Sequence, residues 1–162
     1  MIYNNSKVRR QDRLLDEAAA RALLKSGEYG VLSMLSPEGA PYGIPVNYVW
    51  DGQDYIYLHG APEGKKLDSI RQHPQVSFCV VGKTHVVSNK FTTAYESIVV
   101  KCKAQVGLSA DERMHALKLI LEKYSPDDLT IGLKYAEKSF YRTEIIRLDL
   151  YEYSGKQKIV SR

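Results

Sequence analysis

One stretch of the sequence, from Tyr42 to Arg71, constrains the fold more than any other. Between Tyr42 and Trp50, large side chains alternate with other residues at a period of two, which is typical of a β-strand. Asp51-Gly52 follows, and this dipeptide favours a tight turn between antiparallel strands because glycine adopts positive φ at no steric cost. A second strand-like run covers Asp54 to Leu58. The stretch is therefore expected to contain a β-hairpin.

A segment with the features of an anion site comes directly after this hairpin. His59-Gly60 ends the second run, and residues 61–67 (APEGKKL) have the composition of a turn that opens a short helix, which Pro74 then closes. N–H groups at the start of a helix have no intrahelical acceptor and favour phosphate, and two lysines add positive charge. From these residues alone the lysines are either solvated or part of a phosphate site.

Strand-like patterns outnumber helical patterns in the rest of the chain. Asp16 is suited to cap a helix from Glu17 to Ser26, and Ser109 with Glu112 has the spacing of a capping box. A further helix is expected after Pro126, where a missing N–H costs little. We interpret residues 82–91 as a long loop or an irregular excursion beside the site, and residues 1–13 as a basic arm that is either mobile or pinned. The remaining predicted strands are Tyr29 to Leu35, Gln75 to Val81, Ser97 to Val106 and Glu144 to Tyr153.

This order of elements predicts a mainly β fold with flanking helices (α+β), in which a small antiparallel barrel forms the body. With 162 residues, the chain is expected to form one domain, residues 1–162, that includes the basic arm. No apolar run has the length of a membrane span and the N-terminus lacks the apolar core of a signal peptide, so the expected location is the cytoplasm. The net charge of +4 is compatible with nucleic acid, but the cations are scattered apart from Arg9, Arg10 and Arg13.

Several segments occur in an order that resembles one known family. They are VRRQDR (8–13), the segment from Gly27 to Trp50, HGAPEGKKLD (59–68), FTTAYES (91–97) and KYSPDDL (123–129). In this order they resemble the flavin-binding split-barrel proteins related to pyridoxamine 5′-phosphate oxidase, and above all the branch grouped with the 5-nitroimidazole-resistance (Nim) proteins. The resemblance covers nearly all of the chain. It implies a split β-barrel that forms a homodimer and holds FMN at the subunit interface.

The resemblance also implies which residues hold the cofactor. The phosphate is expected at the helix start, where Lys66 matches the motif lysine and Lys65 occupies the neighbouring basic position. The flavin ring is expected along the strands that match Pro45 to Tyr48 and His59-Gly60. The partner subunit is expected to close the site through a loop. The implied cofactor-binding residues are Val46, Asn47, Tyr48, His59, Gly60, Gly64, Lys65, Lys66, Thr92, Thr93, Tyr95 and Ser97.

His59 is the candidate catalytic residue, because a histidine beside the flavin or its phosphate can donate a hydrogen bond or shuttle a proton near neutral pH. The alternative is that it makes a routine hydrogen bond at a strand end. No two histidines have His-x-x-x-His spacing and no carboxylate cluster surrounds them, so a metal is not expected. Cys79 and Cys102 lie in strand-like runs and are expected to be free thiols.

The predicted function is therefore that of an FMN-dependent oxidoreductase acting on a small organic acceptor, such as a nitroimidazole-type compound. Vitamin B6 oxidation itself is not expected, because the C-terminal Arg and Trp signatures of the true oxidases are missing from the tail SGKQKIVSR. One alternative is a flavin-binding or sensing module without catalysis. Haem binding is disfavoured because split-barrel relatives use a C-terminal histidine and none follows His115 here. Nucleic-acid binding through the N-terminal arginines is a further alternative.

Overall fold

A computed structural model describes residues 1–160 of the chain. Eight strands and four α-helices are named here in chain order, and short 3-10 helices occupy some of the connections. The strands are β1 (Ile2–Tyr3), β2 (Tyr29–Leu35), β3 (Pro41–Asn47), β4 (Val49–Trp50), β5 (Tyr55–Gly60), β6 (Gln75–Val87), β7 (Thr92–Gln105) and β8 (Glu144–Lys158); the helices are α1 (Glu17–Ser26), α2 (Lys65–Gln72), α3 (Ala110–Tyr124) and α4 (Leu129–Ser139).

The strands form one sheet in the order β3-β2-β6-β7-β8-β5-β4, in which each neighbouring pair is antiparallel. β3 and β4 lie at opposite ends of this order, yet only Tyr48 separates them in sequence. The chain therefore joins the two edges of the sheet at one residue, which we call the seam. A sheet whose edges are joined in this way forms a barrel that is open along part of its length, that is, a split barrel. The predicted mainly β split barrel is therefore confirmed.

Two apolar clusters stabilise this arrangement. The interior of the barrel is filled by inward-facing side chains such as Leu32, Phe78, Val100 and Leu148, together with residues of α1 and α2. A second cluster lies between the outer face of the β4-β5-β8 region and the helices α3 and α4. The helix α1 contacts β4, β6, β7 and β8, and its residues Ala20, Leu23 and Leu24 belong to the barrel core. No helix within residues 1–160 is long and apolar enough to cross a membrane.

Several predictions of local structure are confirmed. α1 has the predicted bounds, and the Asp16 carboxylate accepts a hydrogen bond from Ala19 N. Ser109 Oγ likewise accepts from Glu112 N, although Glu112 does not complete the capping box, because its carboxylate pairs with Arg147 instead. The Asp51-Gly52 turn joins β4 to β5 as expected, with Gly52 at φ 86°. The cysteines are free thiols.

The alternating run from Tyr42 to Trp50 is not one strand of that hairpin, and this prediction was wrong. β3 pairs with β2 along its whole length, from Tyr29↔Asn47 to Leu35↔Pro41, and only the two residues of β4 pair with β5. The period of two continues through the seam because both strands face the same core, so the pattern itself carries no sign of the interruption.

The predicted loop over residues 82–91 is also wrong. Most of it belongs to a long hairpin of β6 and β7, which is interrupted by a register shift between Val81 and Thr84. At Gly82, a Cβ atom would lie 2.4 Å from Glu96 Oε1, and that same oxygen accepts a hydrogen bond from Lys83 N. The bulge breaks the alternation of side chains, and the sequence therefore looked irregular.

The N-terminal arm is pinned to the sheet rather than mobile. β1 pairs in parallel with β8, and Leu15 N donates to Gly155 O at 3.1 Å. A Cβ atom at Gly155 would lie 2.7 Å from the hydroxyl of Tyr3, so this glycine allows the arm to pack closely. β8 continues to Lys158, well past its predicted end at Tyr153, because the arm and β7 provide partners for this polar segment.

Candidate functional site

The segment Gly64 to Lys66 forms a basic turn at the start of α2, as the sequence predicted. Gly64 is the N-cap with φ 120°, a conformation that residues with a side chain rarely adopt. No side chain caps the helix, and the first N–H groups of any helix lack intrahelical acceptors. The turn therefore presents free donors at the positive end of the helix dipole.

Lys66 extends from this turn over the end of β5. A Cβ atom at Gly60 would lie 3.0 Å from Lys66 Nζ, so the absence of a side chain at Gly60 makes room for the ammonium group. Lys66 is half-buried, and burial lowers its pKa. Within residues 1–160 it has no ion pair or hydrogen bond to a carboxylate. A half-buried ammonium without a counter-charge is a suitable partner for a phosphate.

His59 is exposed at the same strand end, beside this ammonium. Partial burial, followed by the positive charge of Lys66, lowers the pKa of the imidazole from its ordinary value. His59 pairs through its backbone with Ile145 of β8. The structure thus brings His59, Gly60, Gly64 and Lys66 into one basic site.

Lys65 lies on the other side of the turn, where its Nζ is 4.9 Å from the centre of the Tyr42 ring. The pKa of Glu38 is lowered chiefly by a hydrogen bond from Ser36, with a smaller contribution from the charge of Lys65. Since Tyr42 lies near the start of β3, this contact places that strand beside the basic turn.

The other end of β3 carries the residues expected along a flavin ring. Val46 and Asn47 line an open groove of about 450 Å³ with Glu28, Tyr29 and Pro45. β3 is an edge strand, so the backbone on its outer side has no strand partner within residues 1–160. Asn47 lies five positions along the strand from Tyr42, which corresponds to roughly 17 Å.

Tyr48 is different, because its ring is fully buried in the barrel core. Its hydroxyl donates to Leu24 O at 2.6 Å, and its ring packs edge-on against Phe78. Burial raises the pKa of this phenol, so it stays protonated at any ordinary pH. A ligand therefore has no access to the side chain of Tyr48.

The residues Thr92, Thr93, Tyr95 and Ser97 lie in β7 and not in a loop. Tyr95 pairs with Lys158 at one end of β8, whereas His59 pairs with Ile145 near the other end. Lys158 lies thirteen positions along β8 from Ile145, which corresponds to roughly 40 Å of strand. One chain therefore does not bring these residues together with the basic turn.

Tyr95 lines a second open cavity, of about 520 Å³, between the β6-β7 hairpin and the end of β8. Lys83 and Lys158 contribute cations to this cavity, and the side chain of His85 also lines it. Thr92 Oγ1 accepts a hydrogen bond from Lys158 Nζ, which ties the hairpin to β8.

Two residues at the site were missed at the level of sequence. Lys123 and Tyr124, at the end of α3, reach the seam and bond to the backbone of Tyr48. The only available signal was the segment KYSPDDL, which suggested a family resemblance but no contact with β3.

The fold and the site define a class of protein: a split β-barrel with a basic turn at one strand end and a groove along the neighbouring edge strand. Comparisons with known proteins agree with this class. Residues 16–157 match the family described as pyridoxamine 5′-phosphate oxidase. Because this match spans most of the chain, the protein belongs to that family. No curated protein matches the sequence at a significant level.

Solved structures with the same fold cover most of the chain. A candidate 5-nitroimidazole antibiotic resistance protein from Bacteroides thetaiotaomicron superposes with a TM-score of 0.76 at 20% identity, over 90% of this chain and 86% of that chain. A conserved hypothetical protein from Mycobacterium tuberculosis gives 0.72 at 17% identity, over 94% and 95%. An FAD-binding protein from Mesorhizobium loti gives 0.62 at 22% identity, over 91% and 98%. At these identities the likeness establishes the fold alone.

Proposed function

We propose that this protein binds FMN and acts as a flavin-dependent oxidoreductase on a small organic acceptor. The observation that carries the proposal is the half-buried Lys66 ammonium, which has no counter-charge within residues 1–160 and lies over Gly60 beside the uncapped start of α2. Family membership and the likeness to a protein described as FAD-binding support a flavin as the ligand.

The residues of the site fit the chemistry of FMN. Lys66, Lys65 and the free N–H groups of α2 would hold the phosphate. The distance along β3 from the basic turn to the groove suits an extended ligand whose ring lies against Val46 and Asn47. When bound, FMN supplies reversible acceptance of a hydride or of electrons. His59 would then donate a hydrogen bond or move a proton beside it.

The proposed functional unit is a homodimer with FMN at the interface. Thr92, Thr93, Tyr95 and Ser97 belong to the cofactor site only if a second copy supplies them, since one chain holds them at the far end of β8 from His59. The proposal of two subunits therefore follows from combining the expected ligand contacts with the geometry of one chain.

The likeness to a candidate 5-nitroimidazole antibiotic resistance protein makes nitroaromatic compounds the first acceptors to test. Reduction of the bound flavin by NAD(P)H, followed by its reoxidation on adding a nitroimidazole, would support the enzyme. Flavin that binds but is not reduced by any nicotinamide would instead support a sensing module.

Titration with FMN and with riboflavin, which has the same ring without the phosphate, tests the site directly. A hydrogen bond to a charged group contributes about 1.5–3 kcal/mol, so Lys66→Ala should weaken FMN roughly ten- to a hundredfold. Riboflavin should bind wild type and Lys66→Ala with equal affinity, because it has no phosphate that could contact the lysine. Flavin fluorescence measures both affinities.

Lys134→Ala, an exposed position on α4, is the charge-matched control and should leave both affinities unchanged. If Lys66→Ala weakens the binding of FMN and of riboflavin by the same factor, the phosphate assignment is wrong. A wild-type protein that binds neither ligand would overturn the proposed function.

A further inference from the structure

The seam poses a hydrogen-bonding problem for the backbone of Tyr48. β3 pairs with β2 and β4 pairs with β5, and Tyr48 between them belongs to neither ladder. A buried backbone N–H or C=O that stays unpaired destabilises the fold, so partners must come from elsewhere. Both come from side chains at the end of α3.

Tyr124 and Lys123 provide these partners. Tyr48 N donates to the hydroxyl of Tyr124 at 3.0 Å, and Tyr48 O accepts from Lys123 Nζ at 2.7 Å. Lys123 Nζ also donates to Gly27 O at 2.7 Å, and the hydroxyl of Tyr124 lies 2.6 Å from Glu28 O. Two adjacent side chains thus fasten the seam to the start of β2.

The position of Lys123 at the seam requires desolvation of its ammonium group. Burial lowers its pKa to about 8, and within residues 1–160 no carboxylate pairs with it. The ammonium lies 3.8 Å from the centre of the Tyr48 ring, so a cation–π contact and two carbonyl acceptors offset part of the desolvation. An apolar side chain would avoid this cost, but it would leave the carbonyls of Gly27 and Tyr48 without this donor.

The same pair of residues holds the backbone next to the groove. Glu28 and Asn47 both line it, and each is the direct neighbour of a residue that Lys123 holds. Burial raises the pKa of Tyr124, whereas its interactions with the backbone of Tyr48 and with the side chain of Asn47 oppose that shift. The geometry of the site points the same way: Lys123 and Tyr124 hold the backbone of Gly27, Glu28 and Tyr48, and this backbone lies directly beside Asn47.

We propose that Lys123 and Tyr124 are positioning residues that hold the seam and orient Asn47 toward the ring of a bound flavin. The proposal rests on the proposed function, because it concerns the ring half of the same site. It assigns a role to the segment KYSPDDL that neither the barrel core nor the phosphate contacts explain.

Tyr124→Phe is the first test, since it removes only the hydroxyl. A neutral hydrogen bond contributes about 0.5–1.5 kcal/mol, so the affinities for FMN and riboflavin should each fall roughly three- to tenfold. Their ratio should stay at the wild-type value because the phosphate contacts are intact, in contrast to Lys66→Ala. The absorption bands of the bound flavin should also shift as the polar contact with its ring changes.

A double-mutant cycle with Asn47→Ala separates positioning from general support of the fold. Asn47 is exposed, so this change leaves the core intact. If Tyr124 acts through Asn47, the double variant should bind flavin about as weakly as Asn47→Ala alone. Tyr141→Phe, at an exposed site, is the matched control and should behave as wild type.

Additive losses in the double variant, or unchanged flavin affinity and spectrum in Tyr124→Phe, would overturn the positioning role while leaving the proposed function intact. If Tyr124→Phe does not fold, Lys123→Arg and Lys123→Met replace it. Lys123→Arg should retain the affinity for FMN and for riboflavin, whereas Lys123→Met should lose affinity for both. Equal affinity in the two variants would overturn the proposal. A wild-type protein without flavin affinity would overturn both proposals together.

Discussion

Positive features converge on the end of β5, and among residues 1–160 no carboxylate forms an ion pair with Lys66 there. The ammonium of Lys66 lies over Gly60, the imidazole of His59 is adjacent, and the N-terminus of α2 adds the positive end of its dipole. Burial and the charge of Lys66 both disfavour protonation of His59. An anion in this position would relieve the repulsion, so the site is electrostatically prepared for one.

The titration of His59 should report this anion. In the free protein its pKa lies below the ordinary value of 6.5, because partial burial and Lys66 disfavour the charged form. A bound phosphate places negative charge nearby and favours the charged form, so FMN should raise the pKa of His59. NMR titration of the imidazole signals, with and without FMN, measures the change.

The same pKa for His59 with and without FMN would remove this residue from the phosphate site.

At the scale of secondary structure, the conformation of Gly64 determines where α2 begins and therefore where its free N–H groups point. Its φ of 120° belongs to a region that is essentially restricted to glycine. The helix is short and has no side-chain cap, so little else fixes its first turn.

Gly64→Ala should lower the free energy of unfolding by about 1–3 kcal/mol through backbone strain alone, since nothing lies within 4 Å of the added methyl group. The strain should also redirect the first turn of α2, so FMN should lose more affinity than riboflavin. Urea unfolding and flavin titration measure the two effects.

Gly107→Ala is a matched change, because Gly107 also has positive φ and open space but lies between β7 and α3. It should lower stability and leave the ratio of FMN to riboflavin affinity at the wild-type value. The same ratio in Gly64→Ala would indicate that the start of α2 does not contact phosphate.

For the whole molecule, the outer face of the sheet carries an apolar strip that one subunit does not cover. Val31, Cys79 and Val99 are directly opposite one another on β2, β6 and β7, and Val81 follows on β6. The side chains of Val81 and Val99 are 54% and 44% exposed. Apolar surface of this kind is typical of an interface, and an isologous dimer would bury the strip on both subunits at once.

Val99→Lys should convert the proposed dimer into a monomer, because each interface would then bury two unpaired ammonium groups across the symmetry axis. The affinity for FMN should also fall in Val99→Lys, since the contacts from the partner subunit would be lost. Light scattering with and without FMN measures the assembly. Ile131→Lys, at an exposed position on α4, is the control and should remain dimeric. A wild-type monomer that binds FMN tightly would contradict the proposed architecture.

The sequence by itself determined the features that depend on near neighbours in the chain. The bounds of α1 follow from the Asp16 cap and the glycine after its last turn, and β2 follows from alternation between turn residues. The basic turn at Gly64 to Lys66 was also evident, because a glycine, two lysines and a helix start are adjacent in sequence. These signals depend on residues that are adjacent in sequence, so the elements can be predicted without knowing which other segments pack against them.

Only the tertiary structure decided what depends on pairing between distant segments. It interrupted the run from Tyr42 to Trp50 at Tyr48, because the two edges of the sheet meet there and pair with different strands. It extended the β6-β7 hairpin past the bulge at Gly82. It also brought Lys123, some 75 residues along the chain, to the backbone of Tyr48. No periodicity encodes such contacts, since they arise where the barrel closes and the end of a helix meets the backbone at the seam.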